Sequence, residues 1–427
     1  MMKNLLLIGL LAASSASPFY TCNGTNAPGS NNSTNANISP SAVLPPENIL
    51  IFESNLKPNA DTLGPININS VENNGSNLKF LSYQERFVSF MPQFSPDKAK
   101  IIFWSNRPLN NGNEASPNNL WNMNTDGSNP QFLTQSSIVE TLNTWEAAQF
   151  SPDGRRIIFI SSRNLNGANN ALENPSLNIW SMNSDGSDLR ALTNFDLRTQ
   201  INQLKWSPDG SKIAFLSNLN PDGSNSRLNN VQNIWMMQAD GSRQQAVTRL
   251  QHSSVSFYDW SNDSSKFALS TNVGSDGSDI VSPVNISNIW TIQNDGTQFN
   301  PLTRLTHGSH YRPLWSPDGK YILYISNRNL DGSDNNIAAK NLWAYKFDGN
   351  SHAAVTRLTF NSLENYPYEW SKDSTKILFL SNRHLDKSDS VNTFNISNFW
   401  MMNPDGTDLG NLTGFDETAQ AVGNGNW

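Results

Sequence analysis

The sequence predicts an all-β protein built from one four-stranded unit that is repeated along the chain. An aromatic-Ser-x-Asp marker recurs every 54 to 56 residues, and an Asn-(Ile/Leu/Phe)-Trp marker keeps a similar spacing. Apart from Trp104 and Trp145, all of the 13 tryptophans fall on these two markers, counting Trp427. Self-similarity at a fixed period indicates a repeat architecture rather than a set of independent domains.

The first marker ends the first strand of each unit in a tight turn, where Pro sets φ and Gly takes a positive φ. A β-branched run such as Ile157–Ile160 or Ile322–Ile325 follows, typical of a strand buried on both faces. The marker occurs at Phe94–Asp97, Phe150–Gly154, Trp206–Gly210, Trp260–Asp263, Trp315–Gly319 and Trp370–Asp373.

The second marker lies on the third strand of the unit. That strand runs into Asp-Gly, as at Asp185-Gly186, which is the strongest short signal for a hairpin. The fourth strand ends in Leu-Thr or Val-Thr, as at Leu192-Thr193. Four short strands per repeat, with large apolar residues that pack neighbouring sheets together, predict a β-propeller. The marker occurs at Asn119–Trp121, Asn178–Trp180, Asn233–Trp235, Asn288–Trp290, Asn341–Trp343 and Asn398–Trp400.

The two ends of the sequence predict a seventh, split blade. Residues 49–82 match a repeat that lacks its first strand, and Trp427 follows Trp370 by 57 residues, where the next first-strand aromatic is due. We therefore expect seven blades, with six or eight as alternatives, in a propeller over residues 48–427. The expected units are near 85–140, 141–197, 198–251, 252–307, 308–362 and 363–420, with the split blade formed by 48–84 plus 421–427.

The first 47 residues predict export. A Lys3 start, an apolar run from Leu5 to Ala13 and the small residues that follow are typical of a signal peptide, which we place at residues 1–21. Residues 22–47 are rich in Asn, Ser and Pro and predict a disordered tether. Cys22 is the predicted lipidation site of an anchored lipoprotein. Cleavage near Ala16, with release into the periplasm, is the alternative.

The composition excludes several classes of function. With 29 basic and 36 acidic residues the formal net charge is −7, and no Lys/Arg cluster is present, so nucleic acid is not an expected partner. The longest apolar run is far shorter than the roughly 20 residues of a spanning helix, so contact with a membrane is expected only through Cys22. A single cysteine also allows no disulfide within the chain.

In these residues the chain resembles the TolB-type, WD40-like propeller repeats of bacterial envelope proteins. The resemblance rests on the order Trp-Ser-Pro-Asp-Gly, strand, Ser-Asn-Arg, Asn-Ile-Trp, Asp-Gly-Ser and Leu-Thr, and it covers residues 49–427. It implies a propeller without the α/β domain of TolB, in a periplasmic or outer-membrane-anchored protein. Because propellers host unrelated activities, the resemblance says little about function.

The lengths of the connections distinguish the two faces of the predicted disc. Both tight turns lie on one face, here called the turn face. The opposite loop face carries the connections into each blade and those between second and third strands. The latter are expected to be functional because hairpin loops are usually about 2 to 5 residues long. They span 163–177, 218–232, 272–287, 327–340 and 382–397.

Aromatic residues and one arginine lead into the first strands, at the loop-face end of the central channel. Aromatics and Arg are enriched at binding hot spots. We therefore predict a non-catalytic, monomeric propeller that serves as a protein–protein binding platform of the cell envelope. The predicted binding residues are Trp145, Phe257, Tyr258, His310, Tyr311, Arg312, Tyr366 and Tyr368.

A carbohydrate-active enzyme is the alternative function. Some related seven-bladed propellers are polysaccharide lyases that hold a divalent metal through channel histidines, and His307 and His310 are the candidates here. A metal-dependent lyase or hydrolase would need three or more such ligands to converge. No cofactor is expected, although the spacings Asp331–Asp334, Asp276–Asp279 and Asp386–Asp389 could hold calcium.

Overall fold

A computed structural model shows seven four-stranded antiparallel sheets arranged in a ring, with no helix among the residues that it describes. Each sheet is one blade, so the predicted seven-bladed β-propeller is confirmed. The described residues are 49–54, 65–109, 117–135, 148–163, 177–195, 199–222, 231–280, 286–333, 339–357, 365–387, 397–414 and 422–426.

The strands follow the repeat in chain order. Blade 1 contains β1 (Ile49–Ser54), β2 (Asn67–Glu72), β3 (Lys79–Phe80) and β28 (Val422–Asn426). Blade 2 contains β4 (Ser89–Phe94), β5 (Lys100–Ser105), β6 (Asn119–Asn124) and β7 (Gln131–Phe132). Blade 3 contains β8 (Gln149–Phe150), β9 (Arg156–Ser161), β10 (Asn178–Asn183) and β11 (Arg190–Ala191). Blade 4 contains β12 (Ile201–Trp206), β13 (Lys212–Ser217), β14 (Asn233–Gln238) and β15 (Gln245–Ala246).

The last three blades repeat the same order. Blade 5 contains β16 (Val255–Trp260), β17 (Lys266–Thr271), β18 (Asn288–Gln293) and β19 (Asn300–Pro301). Blade 6 contains β20 (His310–Trp315), β21 (Tyr321–Ser326), β22 (Asn341–Lys346) and β23 (Ser351–Ala354). Blade 7 contains β24 (Asn365–Trp370), β25 (Ile377–Ser381), β26 (Asn398–Met402) and β27 (Gly410–Asn411).

The ring is closed by β28, which pairs with β1 from Ile51 opposite Asn426 to Ser54 opposite Val422. It therefore supplies the first strand of blade 1, as the spacing of Trp427 predicts. First strands contact one another around the ring, as β16 does with β20 and β28 with β4, so these strands line the centre. A closed ring leaves no full-length sheet edge open for pairing with another chain.

The marker tryptophans belong to the apolar layers between blades. Trp180, Trp290 and Trp400 are at most 1% exposed. One such layer joins Trp104 of blade 2 to Phe159 and Trp180 of blade 3. The rings of Trp104 and Phe159 meet edge to face, with centroids 6.2 Å apart. Burying rings of this size between sheets supplies the main favourable term for stacking one blade on the next.

A buried side-chain clamp ties the two outer strands of each repeat together. In blade 4 the Thr248 hydroxyl donates to Asn233 Oδ1 over 2.8 Å and accepts from the Ile234 amide over 2.9 Å. The same Asn233 oxygen accepts from the amide of Leu250, where the chain leaves for the next blade. The Asn and Thr of the clamp recur as Asn119–Thr134, Asn178–Thr193, Asn288–Thr303, Asn341–Thr356 and Asn398–Thr413.

The glycine of the Asp-Gly hairpin approaches the backbone of the preceding blade. Gly241 has φ +90°, and a Cβ there would lie 2.7 Å from the carbonyl oxygen of Leu192 in blade 3. Gly is therefore required at this position both for its backbone conformation and for its lack of a side chain. Gly349 of blade 6 has φ +84° but no atom within 4 Å of such a Cβ.

Nothing in the described part of the chain is a helix with the length and apolar character needed to cross a membrane.

Candidate functional site

The long connections on the loop face fall largely outside the described residues. Their ends are described, including Arg163 and Leu177 in blade 3 and Lys340 in blade 6. The site described below is therefore built from the first strands and from these loop ends. The parts outside the description are 164–176, 223–230, 281–285, 334–338 and 388–396.

Three neighbouring blades bring an arginine and three aromatic rings together at the loop-face end of the channel. Phe257 is the third residue of β16, Tyr311 and Arg312 are the second and third of β20, and Tyr366 is the second of β24. All four side chains are partly exposed. We call this group the mouth cluster. It unites half of the residues that the sequence predicts for binding.

Arg312 lies at the centre of the mouth cluster. Its guanidinium carbon is 5.0 Å from the ring centroid of Phe257 and 5.5 Å from that of Tyr366. The rings of Phe257 and Tyr311 are 6.4 Å apart between centroids. Distances in this range fit cation–π attraction between the guanidinium and the two rings. Arg312 of blade 6 thus bridges blades 5 and 7.

A bulge in β20 explains how consecutive residues reach one cluster. Arg312 has φ +55°, and the pairing of β20 with β21 shifts register between Tyr311 and Leu314. In a regular strand, consecutive side chains point to opposite faces, and a bulge breaks that alternation. The third residues of β4 and β12, Met91 and Gln203, share this left-handed backbone, so the bulge is a recurring feature of the first strands.

Lys340 adds a second cation beside the mouth cluster. It directly precedes β22, at the end of a long connection, and its Nζ is 5.8 Å from the ring centroid of Tyr366. The sequence prediction did not include this residue. The sequence could still have placed Lys340 on the loop face. It adjoins the Asn341–Trp343 marker, and third strands begin on the same face as first strands.

Further along the first strands, toward the turn face, charged groups are paired with one another. Lys205 of β12 lies 2.8 Å from Asp259 Oδ1 of β16. The other carboxylate oxygen accepts a hydrogen bond from the Trp315 amide of β20 over 2.8 Å. One carboxylate therefore links three first strands in succession. Because its oxygens are engaged inside the ring, this pair serves inter-blade cohesion.

Two residues that the sequence predicts for binding are buried, which contradicts their placement at the channel mouth. Tyr258 is 2% exposed, and its hydroxyl donates to the carbonyl of Gln203 in blade 4. His310 is 0% exposed, with its ring edge to face against Tyr324 at 5.0 Å. Both side chains point into the apolar layers, so a partner at the surface does not reach them.

The surroundings of His310 hold its ring in the neutral form. Burial, together with the positive charge of Arg328 and the influence of His352, lowers the pKa of His310 well below its ordinary value. Neither ring nitrogen of His310 has a hydrogen-bond partner among the described residues. Nearby, the Tyr324 hydroxyl and His352 Nδ1 are 2.9 Å apart, and burial also lowers the pKa of His352.

The histidines do not converge on a metal site in the described part of the chain. His307 is exposed and lies beside Thr306, whereas His310 is buried. His252 is 3.6 Å from Asp279, and His384 is 3.1 Å from Asp386. No group of three or more His, Cys, Asp or Glu side chains in the described ranges has the geometry to hold a metal ion.

Three of the aspartates considered for calcium accept hydrogen bonds from nearby groups of the chain, whereas Asp334 and Asp389 lie outside the described residues. Asp276 Oδ1 accepts from the amide and hydroxyl of Ser278, and these hydrogen bonds lower its pKa. Burial alone would raise the pKa of Asp279, but backbone amides including those of Gln251 and Ser253 bind its carboxylate and lower it. Asp331 likewise binds the amide of Ser333. Calcium at these turns stays a prediction.

Three predicted functional residues fall outside the structural description. Trp145 and Cys22 lie in stretches that are not described, and of Tyr368 only the backbone within β24 is described. Their roles in binding and lipidation stay predictions.

Comparison with known protein families and curated sequences gives partial matches. The family described as eukaryotic translation initiation factor eIF2A matches residues 194–346, less than half of the chain. The uncharacterised peptidase YuxL of Bacillus subtilis is 27% identical over 122 residues, which cover 29% of this chain and 16% of that protein. A putative Tricorn-like protease C-terminal subunit of Sulfurisphaera tokodaii is 27% identical over 158 residues, covering 36% and 15%. The matched regions thus span about a sixth of these curated relatives.

Solved structures show likeness at the level of the fold. TolB from Acinetobacter baumannii shares 16% identity, with a TM-score of 0.43 over 71% of this chain and 62% of TolB. An oligogalacturonate lyase in complex with manganese shares 14% identity, with a TM-score of 0.54 over 79% of this chain and 84% of the lyase. Since a propeller carries many activities, the function must be argued from the residues of this chain.

Proposed function

We propose that the chain is an exported propeller that binds a protein partner at the loop-face end of its channel. The observation that carries this proposal is the mouth cluster, in which Phe257, Tyr311, Arg312 and Tyr366 converge from three blades and stay partly exposed. Aromatic rings with a central arginine are the composition typical of binding hot spots. Rigid strands hold the cluster, so little order must be gained on binding.

Export and anchoring are part of the same proposal. They are supported by the N-terminal apolar run, by Cys22 behind it and by the TolB-type order of the repeat motifs. A tether rich in Asn, Ser and Pro would separate a lipid anchor from the disc. The expected site of action is the bacterial cell envelope, in periplasmic or outer-membrane-anchored form.

The carbohydrate-active alternative has less support from the described residues. The likeness to the lyase is one of fold, and the histidines that a lyase-like metal site would use do not converge in the described ranges.

Site-directed photo-cross-linking tests the proposal. A benzophenone amino acid replaces Tyr311 in the full-length chain, expressed in its own cells, and cross-linked products are identified by mass spectrometry. The matched control carries the same group at Phe347, an aromatic that is 36% exposed on the turn face. We expect one dominant protein adduct from position 311 and none from position 347.

Two results would contradict the proposal. Equal labelling from both positions would show non-specific capture, and recovery of the chain without any protein adduct from position 311 would exclude a partner at the mouth cluster.

A further inference from the structure

The guanidinium of Arg312 has aromatic neighbours but no charged or hydrogen-bonding partner within the described part of the chain. It lies between the rings of Phe257 and Tyr366, at 5.0 and 5.5 Å from their centroids. A guanidinium carries five N–H donors in its plane. Contacts with ring faces engage none of these donors in a conventional hydrogen bond, so they stay available to an acceptor from outside.

Other cations of the chain are placed differently. Among the described first strands the lysine and arginine residues are Lys205 and Arg312, and Lys205 is paired with Asp259 at 2.8 Å. Arg107 and Arg163 also contact aromatic rings, but they are 6% and 3% exposed, and burial lowers the pKa of Arg107 to about 10. Arg328 is partly exposed and lies 4.8 Å from the ring centroid of Trp343, but it donates a hydrogen bond to the carbonyl of Gly332. Arg312 is also partly exposed, at the open end of the channel, and has no such bond within the described residues.

The backbone adds to this arrangement. The φ of +55° at Arg312 is uncommon for a residue with a side chain, and the bulge directs the side chain toward the neighbouring blades. Lys340 Nζ lies 5.8 Å from the ring centroid of Tyr366. The result places the Arg312 guanidinium among aromatic rings on a chain whose formal net charge is −7.

We propose that Arg312 is a carboxylate receptor, through which the mouth cluster anchors an acidic segment of the partner protein. This inference rests on the proposed function and names the chemistry that its partner presents. A carboxylate matches the planar fork of a guanidinium with two parallel hydrogen bonds, and the two neighbouring rings restrict the guanidinium before binding. The ring faces that a saccharide would stack on are partly covered by Arg312, which favours a peptide.

Binding of a labelled acidic peptide tests the inference. Fluorescein-labelled hexaglutamate and, as the matched neutral probe, hexaglutamine are titrated by anisotropy with the full-length protein. We expect at least a ten-fold preference for hexaglutamate, which R312A abolishes and R312K reduces several-fold because lysine lacks the planar fork. The control R155A removes a basic side chain that is 86% exposed on the turn face, and it should keep the preference.

A second variant, R312G, tests whether a loss of binding in R312A comes from unfolding of the protein. R312G removes the guanidinium while it relieves the left-handed backbone, so it should fold at least as readily as R312A and lose the same preference. Thermal unfolding of each variant checks this point.

Each other outcome overturns a distinct claim. Equal affinity for the two peptides, or binding unaffected by R312A, contradicts the carboxylate receptor. Arg312-dependent binding of an oligogalacturonate without binding of hexaglutamate would replace the peptide with an acidic saccharide. If R312A leaves the cross-link from position 311 intact, the binding platform stands and this inference falls. If carboxylate binding persists without a protein adduct, the platform falls instead.

Discussion

His310 shows how one position of the repeat changes its physical chemistry from blade to blade. His310 is the first residue of β20. The equivalent first residues are Val255 in β16 and Asn365 in β24. All three side chains are buried, and His310 is the ionisable one. A buried imidazole is tolerated at neutral pH because it is uncharged, and this ties the stability of the fold to pH.

We expect the stability of the protein to fall as the pH drops below about 6.5, the ordinary pKa of histidine. Below that pH the unfolded chain binds a proton at His310, whereas the folded state keeps the ring neutral because its pKa is lowered. One such group contributes a slope of about 1.4 kcal/mol per pH unit until the folded-state pKa is reached. Urea unfolding between about pH 7.5 and 5 measures the slope.

The variant His310→Val isolates the contribution of this residue, since valine occupies the equivalent position in blade 5. It should show a shallower slope over the same pH range, with a remainder from His352, whose pKa is also lowered. The same slope in both proteins would contradict the assignment, whatever the absolute stability of the variant.

Prediction from the sequence succeeded for some of the first-strand residues and failed for others. The first-strand aromatics and Arg312 were identified by type and by distance from the markers, and four of them form the mouth cluster. His310 and Tyr258 were assigned to the same surface wrongly. Which side of a strand a residue faces depends on the register shifts within β16 and β20, and no glycine marks either of them in the sequence.

Among the strands, the Asn-Thr clamp explains why the Asn-Ile-Trp motif of the third strand and the Val-Thr motif after the fourth strand occur in the same repeat. The sequence shows Asn-Ile-Trp and Val-Thr as separate repeats, about 14 residues apart. The structure joins them, because Thr248 satisfies both the Asn233 side chain and the Ile234 amide. Short fourth strands such as β15, with two residues, gain from side-chain bonds because they form few ladder bonds.

Thr248→Val should destabilise the protein by about 1 to 3 kcal/mol, the usual cost of leaving buried polar groups without a partner. Valine fills the same space, so the loss comes from the hydroxyl. Thr248→Ser keeps the hydroxyl and serves as the matched control, with a smaller loss from the missing methyl group. Urea unfolding gives both values, and a serine variant less stable than the valine variant would contradict the clamp.

At the scale of the whole molecule, each blade must fit against its neighbour, and the Asp-Gly hairpins take part in that fit. Gly241 touches the backbone of blade 3, whereas the hairpin of blade 6 turns at Gly349 in open space. The two glycines have nearly the same φ, at +90° and +84°. Alanine substitutions at the two glycines therefore separate the local cost of a left-handed backbone from the cost of a clash between blades.

Gly241→Ala should destabilise the protein by about 1 to 3 kcal/mol more than Gly349→Ala, the usual range for overpacking. Both variants carry the same backbone strain, and the difference reports the contact with Leu192. Thermal and urea unfolding of the pair measure it. Equal losses would mean that the blades move apart without cost at this point.

The number of blades was predictable because it follows from counting, and the closing strand followed from the spacing of Trp427. Contacts between blades were not predictable in the same way. The contact of Gly241 with Leu192 joins residues of different repeats, and the sequence period places residues only within their own repeat. The convergence of Phe257, Arg312 and Tyr366 depends on the same three-dimensional fit.

The pairing of β1 on both sides has a mechanical consequence. β1 is the strand nearest the N-terminal segment, and it is hydrogen-bonded to β28 along one edge and to β2 along the other. A tensile load applied at Ile49 is therefore shared by two ladders, one with β2 and one with β28. Breaking them in parallel requires more force than peeling a strand held on one side, so the disc is built to resist being pulled by its leading segment.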